Sequence, residues 1–113
     1  MRNWMIACAS GAVLVAGLTA GLNAQDKAKP GNAAKGKEVF DQCSVCHNAD
    51  STETKVGPGL KGLFKTEKLV NGKAVTEANV RDFINAGGNG MPAYADQLSD
   101  QDKNDLIAYL KTL

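Results

Sequence analysis

The chain has few of the residues that most often carry metal or acid–base chemistry. Among 113 residues it holds one histidine, His47, three cysteines and one tryptophan, Trp4. Cys8 and Trp4 lie in an apolar N-terminal stretch, so past it only Cys43, Cys46 and His47 remain as soft or imidazole ligands. A structural zinc needs four protein ligands; here it would require a second molecule or a carboxylate. No second histidine is present to act as a distal acid–base group, and Arg81 alone is a poor substitute. Charge excess is missing too. There are 13 Lys+Arg against 12 Asp+Glu, and removing residues 1–24 takes away only Arg2, which leaves 89 residues with 12 of each sign. A non-specific nucleic-acid binder would be basic, so no nucleic-acid partner is expected. The chain shows no internal repeat, no long low-complexity tract and no clear strand alternation. The βαβ pattern that accompanies a thioredoxin-like dithiol is also missing.

Residues 3–25 carry no charge, and Arg2 stands before them. Trp4 to Ala20 is mostly apolar or small, the pattern of a secretory signal, and residues 1–24 are read as one, with cleavage after Ala24. Leu22 is a poor residue for the −3 position of that cut, so the site itself stays open. An uncleaved anchor is the competing reading, because about 20 residues span a bilayer. The Gly/Ala-rich composition and single basic residue favour cleavage. The mature domain is expected in the periplasm, with a membrane association only if the leader is retained.

What the chain does have is Cys43-Ser44-Val45-Cys46-His47, a C-x-x-C-H run. This is the pattern that attaches a c-type haem. Two thiols three positions apart can add to the two vinyl groups of one ring, and the adjoining imidazole can reach its iron. On a helix, positions i, i+3 and i+4 lie on one side. A free dithiol in an oxidising compartment would close into a disulfide; thioether bonds prevent that. One covalent haem per chain would also give an 89-residue domain an apolar plate to pack on, where a small core often needs a staple.

Residues 25–31 read as a flexible, polar lead-in. Asn32 is placed to cap a helix from Ala33. Ala33, Gly36, Val39, Phe40 and Cys43 recur at spacings of three and four, so this helix is expected to end by delivering the haem motif. Gly36 either admits a close neighbour or is merely tolerated at about 1 kcal/mol. Residues 48–58 read as loop, with Val56-Gly57-Pro58-Gly59-Leu60 turn-like, and Leu60, Leu63 and Phe64 suit one apolar helical turn. Asn71-Gly72 is a turn signal, but its flanks are too short to assign a hairpin. Thr76 caps a second helix over 77–86, with Val75 and Val80 as a hydrophobic staple and Val80, Phe83 and Ile84 as its buried face. Gly87-Gly88-Asn89-Gly90 ends it and leads to Met91, the only methionine past the leader. A lone methionine is usually surface or gap filler. Beside a haem that needs a sixth ligand, the reading shifts to ligation. Ser99 to Asp102 has the capping-box form and opens a last helix, whose Leu106, Tyr109, Leu110 and Leu113 share one face with Ile107 on its flank.

Over residues 32–113 this order of parts resembles the small bacterial class I cytochromes c. The parts are the helix with Gly36 and Phe40, the Cys43–His47 motif, Gly57-Pro58-Gly59-Leu60, the middle helix, Asn89-Gly90-Met91-Pro92 and the last helix with Tyr109-Leu110. The resemblance implies an all-α fold, three main helices and loops wrapped around one haem. It implies His47 and Met91 as iron ligands, Cys43 and Cys46 as attachment points, and Pro58 and Leu60 among the residues that hold the group. The Pro58 carbonyl would orient the His47 ring, and Gly36 would let the Tyr109–Leu110 region approach. The implied function is shuttling of single electrons between redox proteins such as a dehydrogenase, a cytochrome complex or a terminal oxidase, with no enzyme activity of its own. The chain would act as a monomer or as a dedicated subunit. A haem enzyme or ligand sensor with an exchangeable sixth position is the competing reading. Nine lysines and six acids in 25–75, against three basic residues and six acids in 76–113, permit a steering dipole if folding keeps the halves apart.

Overall fold

The computed structural model describes residues 29–113. The expected leader, its cleavage point, Cys8 and residues 25–28 lie outside the described residues. Three α-helices make the frame: α1 (Ala33–Phe40), α2 (Glu77–Ala86) and α3 (Asp100–Leu110). A single 3-10 turn, Leu63–Lys65, lies between α1 and α2. Among the described residues there is no strand, only isolated bridges between Lys68 and Ala74 and between Gly88 and Met91. The all-α expectation therefore stands, and the Asn71-Gly72 turn closes one minimal antiparallel pairing.

Each helix starts where its side-chain cap dictates. The Asn32, Thr76 and Ser99 side chains accept from the backbone N–H groups of Lys35, Asn79 and Asp102. At α3 the Asp102 carboxylate returns the bond to the Ser99 backbone, completing a capping box. Such caps are worth about 1 kcal/mol each.

The first and last helices cross in close contact, and Gly36 is the reason they can. A Cβ there would collide with the Asp105 carbonyl and stand 2.7 Å from Tyr109 Cβ. Of the two readings of Gly36, close approach is the one the structure shows. Beside the crossing, the Phe40 and Tyr109 rings tilt against each other at 5.4 Å, a geometry that suits their quadrupoles. Phe40, Val80, Ile84, Leu98, Leu106, Ile107 and Leu110 form the buried core. Phe83, expected in the α2 buried face, is only half-buried, because Val80 and Ile84 alone point inward. The packing of α1 on α3 joins the basic first half to the acidic second half. Lys111 pairs with Glu77, and Asp105 is buried.

The last residues of the expected flexible lead-in are held. Lys29 N donates to Gln101 Oε1 at 2.6 Å, and Lys29 O accepts from Gln101 Nε2 and Asn104 Nδ2. Asn32 N donates to the buried Asp105 carboxylate at 2.8 Å. These bonds tie the entry of the chain to α3 across more than 70 residues.

Candidate haem-binding site

The C-x-x-C-H run does not lie inside α1, as its spacing suggests, but on the turns that follow Phe40. The helical hydrogen bonding nevertheless continues in pieces. Ser44 N reaches Phe40 O at 2.9 Å, and His47 N reaches Cys43 O at 2.9 Å. These i to i+4 links keep Cys43, Cys46 and His47 on one side even though the regular helix has ended. Both thiols are free and half-buried. Burial, and then the nearby Cys46 sulfur, pushes the Cys43 thiol up to about 11, as expected of a sulfur set against apolar surroundings. Tyr94 is raised as well, by burial first and then by Cys43 and Cys46.

His47 is oriented by one bond. Its Nδ1 lies 2.7 Å from the Pro58 carbonyl. A carbonyl only accepts, so Nδ1 carries the proton and Nε2 keeps its lone pair for a metal. The Gly57 backbone lies against the ring edge, and a Cβ there would stand 2.5 Å from His47 Cε1. The loop is held in turn by Gly57 N donating to Cys46 O at 2.7 Å and Leu60 N to Asn48 O at 2.8 Å. Lys55 Nζ reaches the Ser44 carbonyl. Pro58 itself is exposed, whereas Leu60 is half-buried and packs on the core with Leu63 and Phe64.

Met91 approaches the same core from the other side of the chain. Gly87, Gly88, Asn89 and Gly90 all have positive φ, a run that only glycine and asparagine adopt at low cost. Gly88 and Met91 exchange both backbone hydrogen bonds at 3.0 Å, closing a tight turn around Asn89-Gly90. The chain then returns under α2, with Tyr94 N donating to Ile84 O and Ala95 N to Asn85 O. Met91, Tyr94, Cys43 and Leu60 all pack against the buried core cluster. Asn85 Oδ1, beside this return, is buried without a hydrogen-bond partner.

Cys43, Leu60 and Met91 pack against one apolar core, and Cys46 and His47 follow Cys43 on the same hydrogen-bonded turns. Two thiols, an imidazole and a thioether are a donor set that fits a covalently held haem. The zinc reading gains no further ligand. Among the described residues no group of three or more His, Cys, Asp or Glu side chains could hold a metal ion. Arg81, the remaining acid–base candidate, donates to Asn104 on α3. Two residues that the sequence reading missed are buried and polar, Lys103 and Asp105. Neither carries a local signal, since both sit in a helix rich in charged positions.

Comparison with known proteins agrees with this assembly. The family model described as cytochrome c matches residues 33–113. Cytochrome c2 of Blastochloris viridis is 34% identical over 97 residues, covering 71% of this chain and 76% of that protein. Cytochrome c oxidase subunit 2 of Alkalihalophilus pseudofirmus is 36% identical over 88 residues, but the match spans 25% of that longer chain. The solved structure of cytochrome c6 from the diatom Phaeodactylum tricornutum superposes with a TM-score of 0.58 at 25% identity, covering 73% of this chain and 93% of that one. With the fold, the C-x-x-C-H motif and these relatives in agreement, the chain belongs to the cytochrome c family, as a monohaem electron-transfer protein with covalently bound haem c.

Proposed function

We propose that the protein is an exported single-electron carrier in which Cys43 and Cys46 hold the haem and His47 and Met91 close its iron from both sides. The haem supplies a one-electron Fe(II)/Fe(III) couple. The chain's residues keep that couple from doing anything else. The observation that carries the reading is the 2.7 Å His47–Pro58 bond, which fixes the ring and leaves Nε2 free for the metal. Pro58 orients the imidazole, Leu60 packs on the core, and a methionine thioether opposite would raise the potential. With both positions filled there is no site for a substrate, so no enzyme activity is expected.

Partners would approach where the motif reaches the surface. Val45 is 69% exposed and Val56 77%. The Gly57–Cys46 and Lys55–Ser44 bonds bring their segments side by side. Residues 42–49 and 86–95 contain no charged side chain. Redox encounters are small and weak, and a lip of this kind, with the Lys55 ammonium at its Ser44 edge, suits brief contact with another redox protein. The match to part of an oxidase subunit supports the dedicated-subunit form of the same chemistry, and the chemistry does not differ between the two.

Export is read from residues 1–24. Among the described residues no helix is long and apolar enough to cross a membrane. The deciding experiment is carbon monoxide binding to the reduced holoprotein at neutral pH. Absence of binding is the expected result. Ready binding would replace the closed carrier with an open haem enzyme or sensor.

A further inference from the structure

Lys103 is 5% exposed, on the second turn of α3. Burying an ammonium costs several kcal/mol unless its donors are used. Among the described residues no carboxylate lies within salt-bridge distance of it, the ion pair found there being that of Lys111 with Glu77. Its Nζ donates instead to a backbone carbonyl, Ala95 O, at 3.0 Å. Ala95 belongs to the segment that returns from Met91 to Leu98. On that segment's other edge, Tyr94 N and Ala95 N bond to the carbonyls at the end of α2. Residues 94–95 are therefore gripped from two helices: by backbone from α2, and from α3 by one buried charged side chain.

An apolar side chain of the same length would fill this position more cheaply. What only a lysine or arginine adds is a directed, charge-assisted hold on the Ala95 carbonyl. Upstream of that hold, the chain is a run of four positive-φ residues, in which Gly87 backs onto the Met91–Pro92 backbone while nothing lies within 4 Å of a Cβ placed at Gly88 or Gly90. A segment with few buried contacts opens at low cost, so the bond to Ala95, beside the backbone bonds of residues 94–95 to α2, bears on how readily Met91 swings away.

We infer that Lys103 is a positioning residue for Met91: through Ala95 it latches the methionine segment to α3 and keeps the thioether on the iron. The inference rests on Met91 being the sixth ligand.

The test uses purified ferric holoprotein and cyanide as the probe, since cyanide binds iron only when the methionine has left. Lys103→Met, close in length but without a donor, should speed cyanide binding roughly tenfold or more, the effect of losing one charge-assisted hydrogen bond. It should also speed amide hydrogen exchange over residues 91–98. Lys103→Arg should restore both to within about threefold of the parent. Should Lys103→Met fail to fold, Lys103→Gln, which keeps a weaker donor, should fall between the parent and a tenfold increase. A variant that lowers Tm but leaves cyanide binding and exchange over 91–98 unchanged would make Lys103 an ordinary structural residue and overturn the latch. Met91→Ala separates the two claims. If it leaves the cyanide rate and the sulfur–iron absorption band as in the parent, Met91 is not a ligand and the latch falls with that assignment. If Met91→Ala opens the iron and Lys103→Met does not, the latch alone is wrong.

Discussion

On the His47 side, residues 43–60 are stitched to α1 and to themselves by backbone bonds. Ser44 reaches back to Phe40, His47 to Cys43, Gly57 to Cys46 and Leu60 to Asn48. The ligand's own orientation is fixed by Pro58. On the Met91 side, residues 87–90 pass through four positive-φ positions, and beyond the turn bonds between Gly88 and Met91 the return segment is tied to the helices by three bonds, two from its backbone to α2 and one from the Lys103 side chain. Haem held through Cys43 and Cys46, as proposed, would add to the difference, because it would be bonded covalently to the histidine side only. One side is built so that it cannot leave and the other so that it can. With Met91 as the proposed sixth ligand, such asymmetry would confine ligand exchange in a carrier to the methionine.

The comparison breaks most completely if the covalent side is removed. Replacing Cys43 and Cys46 together by Ala should abolish covalent haem, read as loss of haem from the denatured chain. Retention would remove the thioether assignment and with it the rigidity claimed for that side. Met91→Ala should come next in size. It should lower the reduction potential by a sizeable part of the roughly 0.8 V that axial ligation spans, and it should admit carbon monoxide. An unchanged potential in a titration against mediators would mean that another group fills the sixth position.

Gly36→Ala probes the support beneath the histidine side. The added methyl would meet the Asp105 backbone, which cannot move aside as a side chain can. A loss of about 3 kcal/mol is expected, the upper part of the usual range for overpacking, measured by denaturant unfolding of the holoprotein. A loss under about 1 kcal/mol would mean that the α1–α3 crossing is looser than drawn.

Much of this was legible in order along the chain. Asn32, Thr76 and Ser99 cap because a short polar side chain before an amphipathic run has one good use there, and α2 begins and ends where Thr76 and Gly87 say it should. The motif and Met91 stood out by chemistry and scarcity. Three things were hidden. The end of α1 at Phe40 was masked because the apolar spacing runs on through Cys43 while the backbone changes to turns. The docking of Lys29–Asn32 on α3 joins residues more than 70 apart, which no local pattern encodes. Lys103 and Asp105 look like solvent-facing residues in a charged helix, and only the packing of the Met91 segment and of α1 shows that they are inside.

The smallest expected effect is the most informative about whether the two sides open separately. Gly90 has φ +89 and nothing within 4 Å of where a Cβ would stand, so Gly90→Ala introduces no clash. Its cost is the backbone penalty of a left-handed residue, about 1–2 kcal/mol. Asn89→Gly is the control, since Asn89 already sits at φ 52 and gains little from glycine. If the methionine segment opens as its own unit, Gly90→Ala should raise the cyanide-binding rate of the ferric protein roughly 5- to 30-fold, the population change that such an energy represents. The unfolding midpoint should also fall, because the left-handed turn is lost in both kinds of opening. If the midpoint falls while the cyanide rate stays at the parental value, the turn must remain formed when Met91 departs. The mobile unit would then begin after Gly90, at Met91 itself, and the asymmetry would lie in the return strand and its hold on α2 and α3 rather than in the glycine run.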